Sequence, residues 1–330
     1  MRAARFLGNE EIGMIEVPEP QPGPGQVVLD VAFCGLCGSE RKYYRLGSDL
    51  TPGHEVSGTV IDANGTDIEV GTRAAVYLSV YCGECRYCRA GFTNRCQNRQ
   101  GAIGIAPPWH GGYAERMVVP ARNVLPLDDG IGLDTGVLLL DTFGTAWHGL
   151  RMAAADRSAR GLVIGCGPLG LGAVAGMVAF GVQEVFASDL IATRREAAAE
   201  LGATPVEPAE IATLEPFDVV VEAVGSQKTI MQSIQAVAPG GRVVMLGELW
   251  EPWLFEPTRE TMLTDFSLIR SWYFPLNEFA ANQQLIRDGV VPTDRLISHV
   301  FPGDALDEAF RLFVSGESRK VLVEGSSASP

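Results

Sequence analysis

The sequence predicts an α/β protein in two parts, a turn-rich β domain and a doubly wound parallel sheet. Three observations carry that expectation. The chain has 330 residues, room for two domains at roughly 150 residues each. Residues 1 to about 150 are dense in Gly and Pro between short β-branched runs, the mark of strands joined by turns. From Gly161 onward, apolar runs of strand length alternate with helical stretches, as a sheet wound with crossover helices requires.

In chain order, residues 27–32 and 56–61 read as strands of the first domain. Residues 161–165, 184–188, 218–222 and 242–247 predict strands of the second, with helices at 169–180, 193–201 and 227–237 between them. Turns return after about residue 285. Asp304 is placed to cap a helix running to Phe313, and residues 320–323 form a last strand. The carboxyl end is therefore expected to rejoin the first domain, which gives 1–150 with 286–330 in one part and 151–285 in the other. Residues 161–182 are 22 residues without a charge, long enough to cross a bilayer. Gly165-Cys-Gly-Pro-Leu-Gly170 in their middle would break such a helix, so they predict a buried strand, a turn and a helix.

Twenty-six basic and 40 acidic residues leave a net charge of −14, which repels phosphate backbones and anionic lipid, so neither nucleic acid nor membrane is an expected partner. The start, Met1 to Glu10, lacks the apolar core of a signal peptide. Seven cysteines is an odd number, and a chain this long does not need disulfide staples. Their thiols read as ligands in a reducing compartment, the cytoplasm.

Cys82, Cys85, Cys88 and Cys96 form C-x2-C-x2-C-x7-C, a loop able to wrap four thiolates around one tetrahedral ion. An iron–sulfur cluster, a disulfide knot and accidental thiols are the alternatives. The ferredoxin run places its last cysteine three residues on and before a proline, whereas Cys96 follows seven residues on and precedes Gln97. Zinc is the better reading, and four thiolates close its shell, so this ion stabilises its lobe (82–96) without catalysing. Cys34-Gly-Leu-Cys37-Gly-Ser39-Glu40 and Pro52-Gly-His54-Glu55 are each weak signals: a redox dithiol and a satisfied buried histidine explain them separately. Gly165, Gly167 and Gly170, with Pro168 and Leu169 opening a helix, follow an apolar strand, and Asp189 stands nineteen residues beyond Gly170. That pattern suits a dinucleotide pyrophosphate at a helix amino terminus. Asp189 is placed to take the ribose diol and to repel a 2′-phosphate, which favours NAD over NADP.

Taken together, these segments resemble the zinc-dependent medium-chain dehydrogenase/reductase family, which includes alcohol, sorbitol and threonine dehydrogenases, along essentially the whole chain. The resemblance implies a GroES-like β-rich catalytic domain and a Rossmann domain. It implies two zinc ions per chain, one structural and one catalytic, the latter on Cys37, His54 and Asp141 with a fourth position open. Ser39 would pass a proton, and Glu55 would stand behind the ligands or serve as an occasional one. NAD would meet Gly165, Gly167, Pro168, Leu169, Gly170, Asp189, Arg194 along the adenine, and Val224 and Leu246 towards the nicotinamide. Family members are commonly homodimers or homotetramers.

Two departures stand out: the family's Cys-Gly-Ser-Asp ends here in Glu40, and Lys42 replaces a relay histidine. Arg41, Lys42 and Arg45 read as a solvated face. His148 competes with Asp141 on chemistry but lies seven residues further on, two helical turns away, and reads as structural. Trp109, Trp250, Trp253, Trp272 and Tyr273 are candidates for a pocket, the cores or a subunit contact, with 249–253 apolar enough for the last. The expected activity is oxidation of a secondary alcohol, a polyol, sugar or cyclitol, with NAD. The alternatives are a zinc-stabilised NAD-binding protein without turnover, and a dehydrogenase of simple alcohols or of amino alcohols such as threonine.

Overall fold

The computed structural model describes residues 1–249, 251–255 and 257–325. Trp250 lies outside them. The chain divides into two compact units, one of Met1–Leu140, Pro275–Arg287 and Ile297–Pro330, the other of Asp141–Phe274 and Asp288–Leu296. The first crossing thus falls at Leu140/Asp141, ten residues before the expected boundary at 150. Packing explains the difference. The turn Asp141–Thr145 runs into the helix Ala146–Met152, and Trp147 of that helix donates its indole N–H to the Gly172 carbonyl at 3.0 Å, deep in the second unit. The second crossing is interleaved, because residues 288–296 also belong to the second unit, where Arg295 donates to the Glu200 carbonyl at 2.7 Å.

The first unit begins with the hairpin β1 (Arg2–Gly8) and β2 (Glu11–Glu16), then β3 (Gln26–Gly35), β4 (Glu55–Asp62), β5 (Arg73–Val76), β6 (Arg116–Pro120) and β7 (Val124–Pro126). The second contains β8 (Arg160–Ile164), β9 (Glu184–Ser188), β10 (Thr204–Val206), β11 (Phe217–Glu222), β12 (Val237–Met245) and β13 (Ser267–Arg270). The chain then returns to the first unit with β14 (Ile297–Phe301) and β15 (Lys320–Glu324).

In the first unit the strands order as β14-β15-β3-β4-β5-β7, with β6 also paired to β3. β3 is long because its β-branched and Leu residues are buried on both faces; Val27, Leu29, Val31, Val56, Val60 and Phe310 share one core. Each such side chain contributes about 1.5–3 kcal/mol by leaving water. The antiparallel register sets Gly35 opposite Glu55 and Leu322 opposite Gly35, so the end of β3, the start of β4 and β15 meet at one place. That is where the chemistry collects. Asp304 is not the helix cap the sequence suggests. Pro302, with φ −62°, starts a 3-10 turn at Gly303–Ala305, and Ala305 stands at the cap of the helix Leu306–Ser315.

The second unit is a wholly parallel sheet in the order β10-β9-β8-β11-β12-β13, a doubly wound arrangement. Its helices Pro168–Ala179, Ala192–Glu200 and Gln227–Ala236 lie within a residue of their expected bounds. Pro168 occupies the first helical position, where its missing N–H costs nothing, and Ser226 caps Gln227–Ala236 by accepting the Thr229 N–H at 3.2 Å. Residues 161–182 are strand, turn and helix, and no helix among the described residues is long and apolar enough to cross a membrane.

Candidate active site

Cys37 follows β3 and His54 precedes β4, so the β3–β4 register brings them together. With Glu55 and Asp141 they form a group in which one ligand atom of each lies within 4.8 Å of all the others. Asp141 is bonded directly to Leu140, the last residue of this part of the first unit. His54 and Glu55 are buried, and Cys37 and Asp141 half-buried. His148 is not among the four; it is buried in the helix Ala146–Met152.

Glu40 organises the group. Fully buried, it accepts hydrogen bonds from the Cys37 N–H at 3.3 Å, the Gly53 N–H at 3.1 Å, His54 Nδ1 at 2.8 Å and the Tyr113 hydroxyl. With Nδ1–H held by a carboxylate, Nε2 is the ring atom that carries the lone pair, the tautomer of a metal-ligating histidine. Glu40 therefore reaches His54 despite its extra methylene. Burial, and the Glu40 charge after it, push the Tyr113 hydroxyl well above its ordinary pKa and keep it a donor.

Glu55 Oε1 lies 2.5 Å from Lys320 Nζ, which also donates to the Leu36 carbonyl at 3.0 Å. Lys320 and Glu55 are each 1% exposed. Sequence reasoning missed Lys320 and Tyr113; the only signal was a lysine opening a strand otherwise written Val-Leu-Val. Asp141 Oδ1 accepts the Thr145 hydroxyl at 3.0 Å within a π-helical turn, a form that recurs at functional sites. Ser39 Oγ stands 3.5 Å from Cys37 Sγ. Lys42 Nζ lies 4.8 Å from the Tyr43 ring centroid, and Arg41 and Arg45 are exposed.

The other four cysteines close a second group, Cys82, Cys85, Cys88 and Cys96, again within 4.8 Å of one another. Sγ separations are 3.5 Å for Cys85–Cys88 and Cys82–Cys96 and 3.9 Å for Cys82–Cys88. Four sulfurs at ~2.3 Å around a tetrahedral zinc stand ~3.8 Å apart, so the group fits that ion. Backbone N–H groups aim at the sulfurs: Cys85 donates to Cys82 Sγ and Cys82 to Cys96 Sγ, both at 3.3 Å. Such donors, from residues 88 and 97, draw the Cys85 thiol down to about 6.

At the dinucleotide turn the three glycines divide their work. A Cβ on Gly170 would lie 1.7 Å from the Gly165 carbonyl oxygen, and Gly165 itself has φ +95°, so the turn and its helix close only with glycine at both. A Cβ on Gly167 would meet nothing within 4 Å. The face beside the helix amino terminus, at Gly167, is thus open, the kind of place where backbone N–H groups can receive an anion. Asp189, following β9, accepts the N–H groups of Cys166 at 2.8 Å and Ile191 at 2.9 Å. Arg194 Nη1 stands 3.7 Å from the Asp189 carboxylate, and Arg195 binds the Asp189 carbonyl at 2.6 Å. Val224 is half-exposed and Leu246 buried, each in the turn that leaves its strand.

Of the aromatic candidates, Trp109 packs on the first unit's core and Trp253 on the second's, while Tyr273 is buried. Trp109 also lines a cavity of about 580 Å³ in the first unit, with Thr51, His110 and Arg116.

Residues 23–129 match the alcohol dehydrogenase GroES-like domain, and residues 168–288 match the zinc-binding dehydrogenase family. The L-threonine 3-dehydrogenase of Pyrococcus abyssi (strain GE5 / Orsay) is 31% identical over 338 residues, 94% of each chain. Among solved structures, the alcohol dehydrogenase TADH from Thermus sp. ATN1 is similar with a TM-score of 0.91 and 28% identity, covering 98% of this chain and 99% of that one. The 2R,3R-butanediol dehydrogenase from Bacillus subtilis has a TM-score of 0.86 and 25% identity, covering 98% and 99%. Fold, metal-binding groups and dinucleotide turn define an oxidoreductase that works with zinc and a nicotinamide dinucleotide on small-molecule alcohols. The chain belongs to the zinc-dependent medium-chain dehydrogenase/reductase family.

Proposed function

We propose that the protein oxidises a secondary alcohol flanked by a hydroxyl, a polyol, sugar or cyclitol, to the ketone with NAD. The observation that carries this reading is the group of Cys37, His54 and Asp141 with the histidine already oriented by Glu40. One thiolate, one neutral imidazole and one carboxylate offset the charge of Zn²⁺ and leave a fourth position for substrate. Zinc held there supplies Lewis acidity that lowers the pKa of the alcohol hydroxyl. Ser39 Oγ takes the hydroxyl proton onward. Glu55, bound to Lys320, stays behind the three ligands as a charge already neutralised. Gly165, Gly167, Pro168, Leu169 and Gly170 bind the pyrophosphate, Asp189 and Arg194 the adenosine half, and Val224 and Leu246 orient the nicotinamide half. Asp189 selects NAD, because its carboxylate suits a ribose diol and repels a phosphate.

A second reading is an amino-alcohol substrate, favoured by the name of the Pyrococcus abyssi relative. Threonine and 2,3-butanediol share a secondary hydroxyl beside a second polar substituent, so both readings predict the same reacting group. We further read the protein as a homodimer or homotetramer of the cytoplasm. Support comes from the exposed apolar side chains Leu254, Met262 and Leu263 near 249–253, and from seven cysteines none of which is in a disulfide. The test is NADH formation with a panel of polyols, sugars, cyclitols, 2,3-butanediol, L-threonine and simple secondary alcohols. Turnover concentrated on vicinally substituted secondary alcohols is expected, and turnover confined to primary alcohols would overturn the reading.

A further inference from the structure

Glu222, the last residue of β11, is fully buried, although it sits where a strand leaves the sheet. Its side chain turns back on its own exit turn: Oε1 accepts the N–H groups of Val224 at 2.9 Å and Gly225 at 2.8 Å and lies 2.8 Å from the Thr229 hydroxyl. Its carbonyl oxygen accepts the N–H groups of Leu246 at 2.8 Å and Gly247 at 3.1 Å, in the exit turn of the neighbouring β12. One residue therefore holds both turns, and with them Val224 and Leu246. The turns are pressed together so closely that a Cβ on Gly247 would lie 2.1 Å from the Gly225 nitrogen. From the other side Arg270 donates to the carbonyls of Gly247 at 2.7 Å and Met245 at 3.2 Å.

A second observation separates this carboxylate from ordinary turn chemistry. Oε2 of Glu222 is buried and has no hydrogen-bond partner among the described residues. A site chosen for packing alone would not keep a charged oxygen there, since burying a polar atom without a donor is unfavourable. A serine or asparagine could bridge to the same N–H groups at less cost.

We infer that Glu222 is a positioning residue for the nicotinamide half of the dinucleotide, tying the exit turns of β11 and β12 into one platform. It touches neither substrate nor cofactor; it acts through the backbone of residues 224–225 and 246–247. The inference rests on the NAD-linked reading above and names a residue that reading does not use. The hydrogen-bond partners of Glu222 are Val224, Gly225, Thr229, Leu246 and Gly247, none of them a zinc ligand.

The test is fluorescence titration of the zinc-loaded protein with NADH, and calorimetric titration with AMP, which reports the adenosine half alone. The wild type binds both. Glu222→Ala is expected to weaken NADH at least tenfold, leave AMP within twofold and leave zinc content unchanged, and Glu222→Gln, which keeps an acceptor oxygen for the two N–H groups, restores NADH to within about threefold of wild type. Thr229→Val, which removes one partner and keeps the helix, is expected to weaken NADH about threefold with AMP unchanged, and it decides the matter if the alanine variant does not fold. Equal losses of NADH and AMP in a folded variant, or NADH affinity unchanged in both Glu222→Ala and Thr229→Val, would overturn the inference. A wild type that binds AMP but not NADH would instead remove the NAD-linked reading, and the inference with it.

Discussion

Glu40→Gln removes one charge and almost no volume at the residue that orients His54. In the wild type, Oε1 faces His54 Nδ1 and the Gly53 N–H, and Oε2 faces the Cys37 N–H and the Tyr113 hydroxyl. A glutamine has a single acceptor oxygen. If it keeps the His54 side, its amide nitrogen confronts the Cys37 N–H, and Tyr113 must turn its proton to the Gly35 carbonyl at 3.3 Å. The half-buried Cys37 N–H then loses its carboxylate acceptor, at a cost of about 1 kcal/mol, and the bond to His54 is no longer charge-assisted. Mutating the carboxylate that supports a ligand histidine typically lowers metal affinity by about 10–100-fold, or about 1.4–2.8 kcal/mol. The assay is competition for zinc against a chromogenic chelator, with turnover measured on the same samples. One of two zinc ions is expected to leave at about 10–100-fold lower chelator concentration than in the wild type, with activity falling in step. A Glu40→Gln enzyme that holds both ions and turns over as the wild type does would refute the assigned role of Glu40.

Asp141→Ala should lose one zinc per chain and all turnover, while Asp141→Cys keeps some of both; metal analysis of the purified variants checks it, and an alanine variant with full zinc would make Glu55 the third ligand. Lys320→Met leaves Glu55 as an uncompensated charge in a buried pair, a loss of about 3–5 kcal/mol that a denaturation midpoint reads. Asp189→Gly should narrow the ratio of NAD to NADP in kcat/KM, and an enzyme already preferring NADP would contradict it. Cys96→Ser opens the four-sulfur group, and its main effect should be a lower Tm, since a closed zinc site contributes to folding rather than to chemistry.

What could be read in the sequence was local. The four cysteines between 82 and 96, the glycine turn at 165–170 and Asp189 all lie within one loop or one strand–helix–strand unit, where spacing alone restricts geometry. The β3 and β4 runs likewise announced themselves through β-branched residues, and with them the positions of Cys37 and His54. The supports of the site were illegible because they come from far along the chain. Lys320 reaches Glu55 across 265 residues, and Tyr113 reaches Glu40 across 73. The division at Leu140/Asp141 was illegible for a similar reason. Residues 141–150 carry no compositional break, and it is packing, of Trp147 against Gly172 and Gly176, of Thr142 against Gly172 and of Gly149 against Val244, that assigns them to the second unit. Asp304 shows the opposite error, a sound local rule overtaken by the proline two residues before it.

The central claim is that two separate ligand groups, one closed and one with an open position, make this chain a zinc-dependent dehydrogenase. Graded removal of metal from the purified protein tests it most directly, with zinc per chain measured against NADH formation on the best alcohol of the panel. Two zinc ions per chain are expected at the start, and activity should vanish as the first is withdrawn while the fold persists. A protein that begins with one zinc, or that keeps full turnover after losing one, would contradict the account.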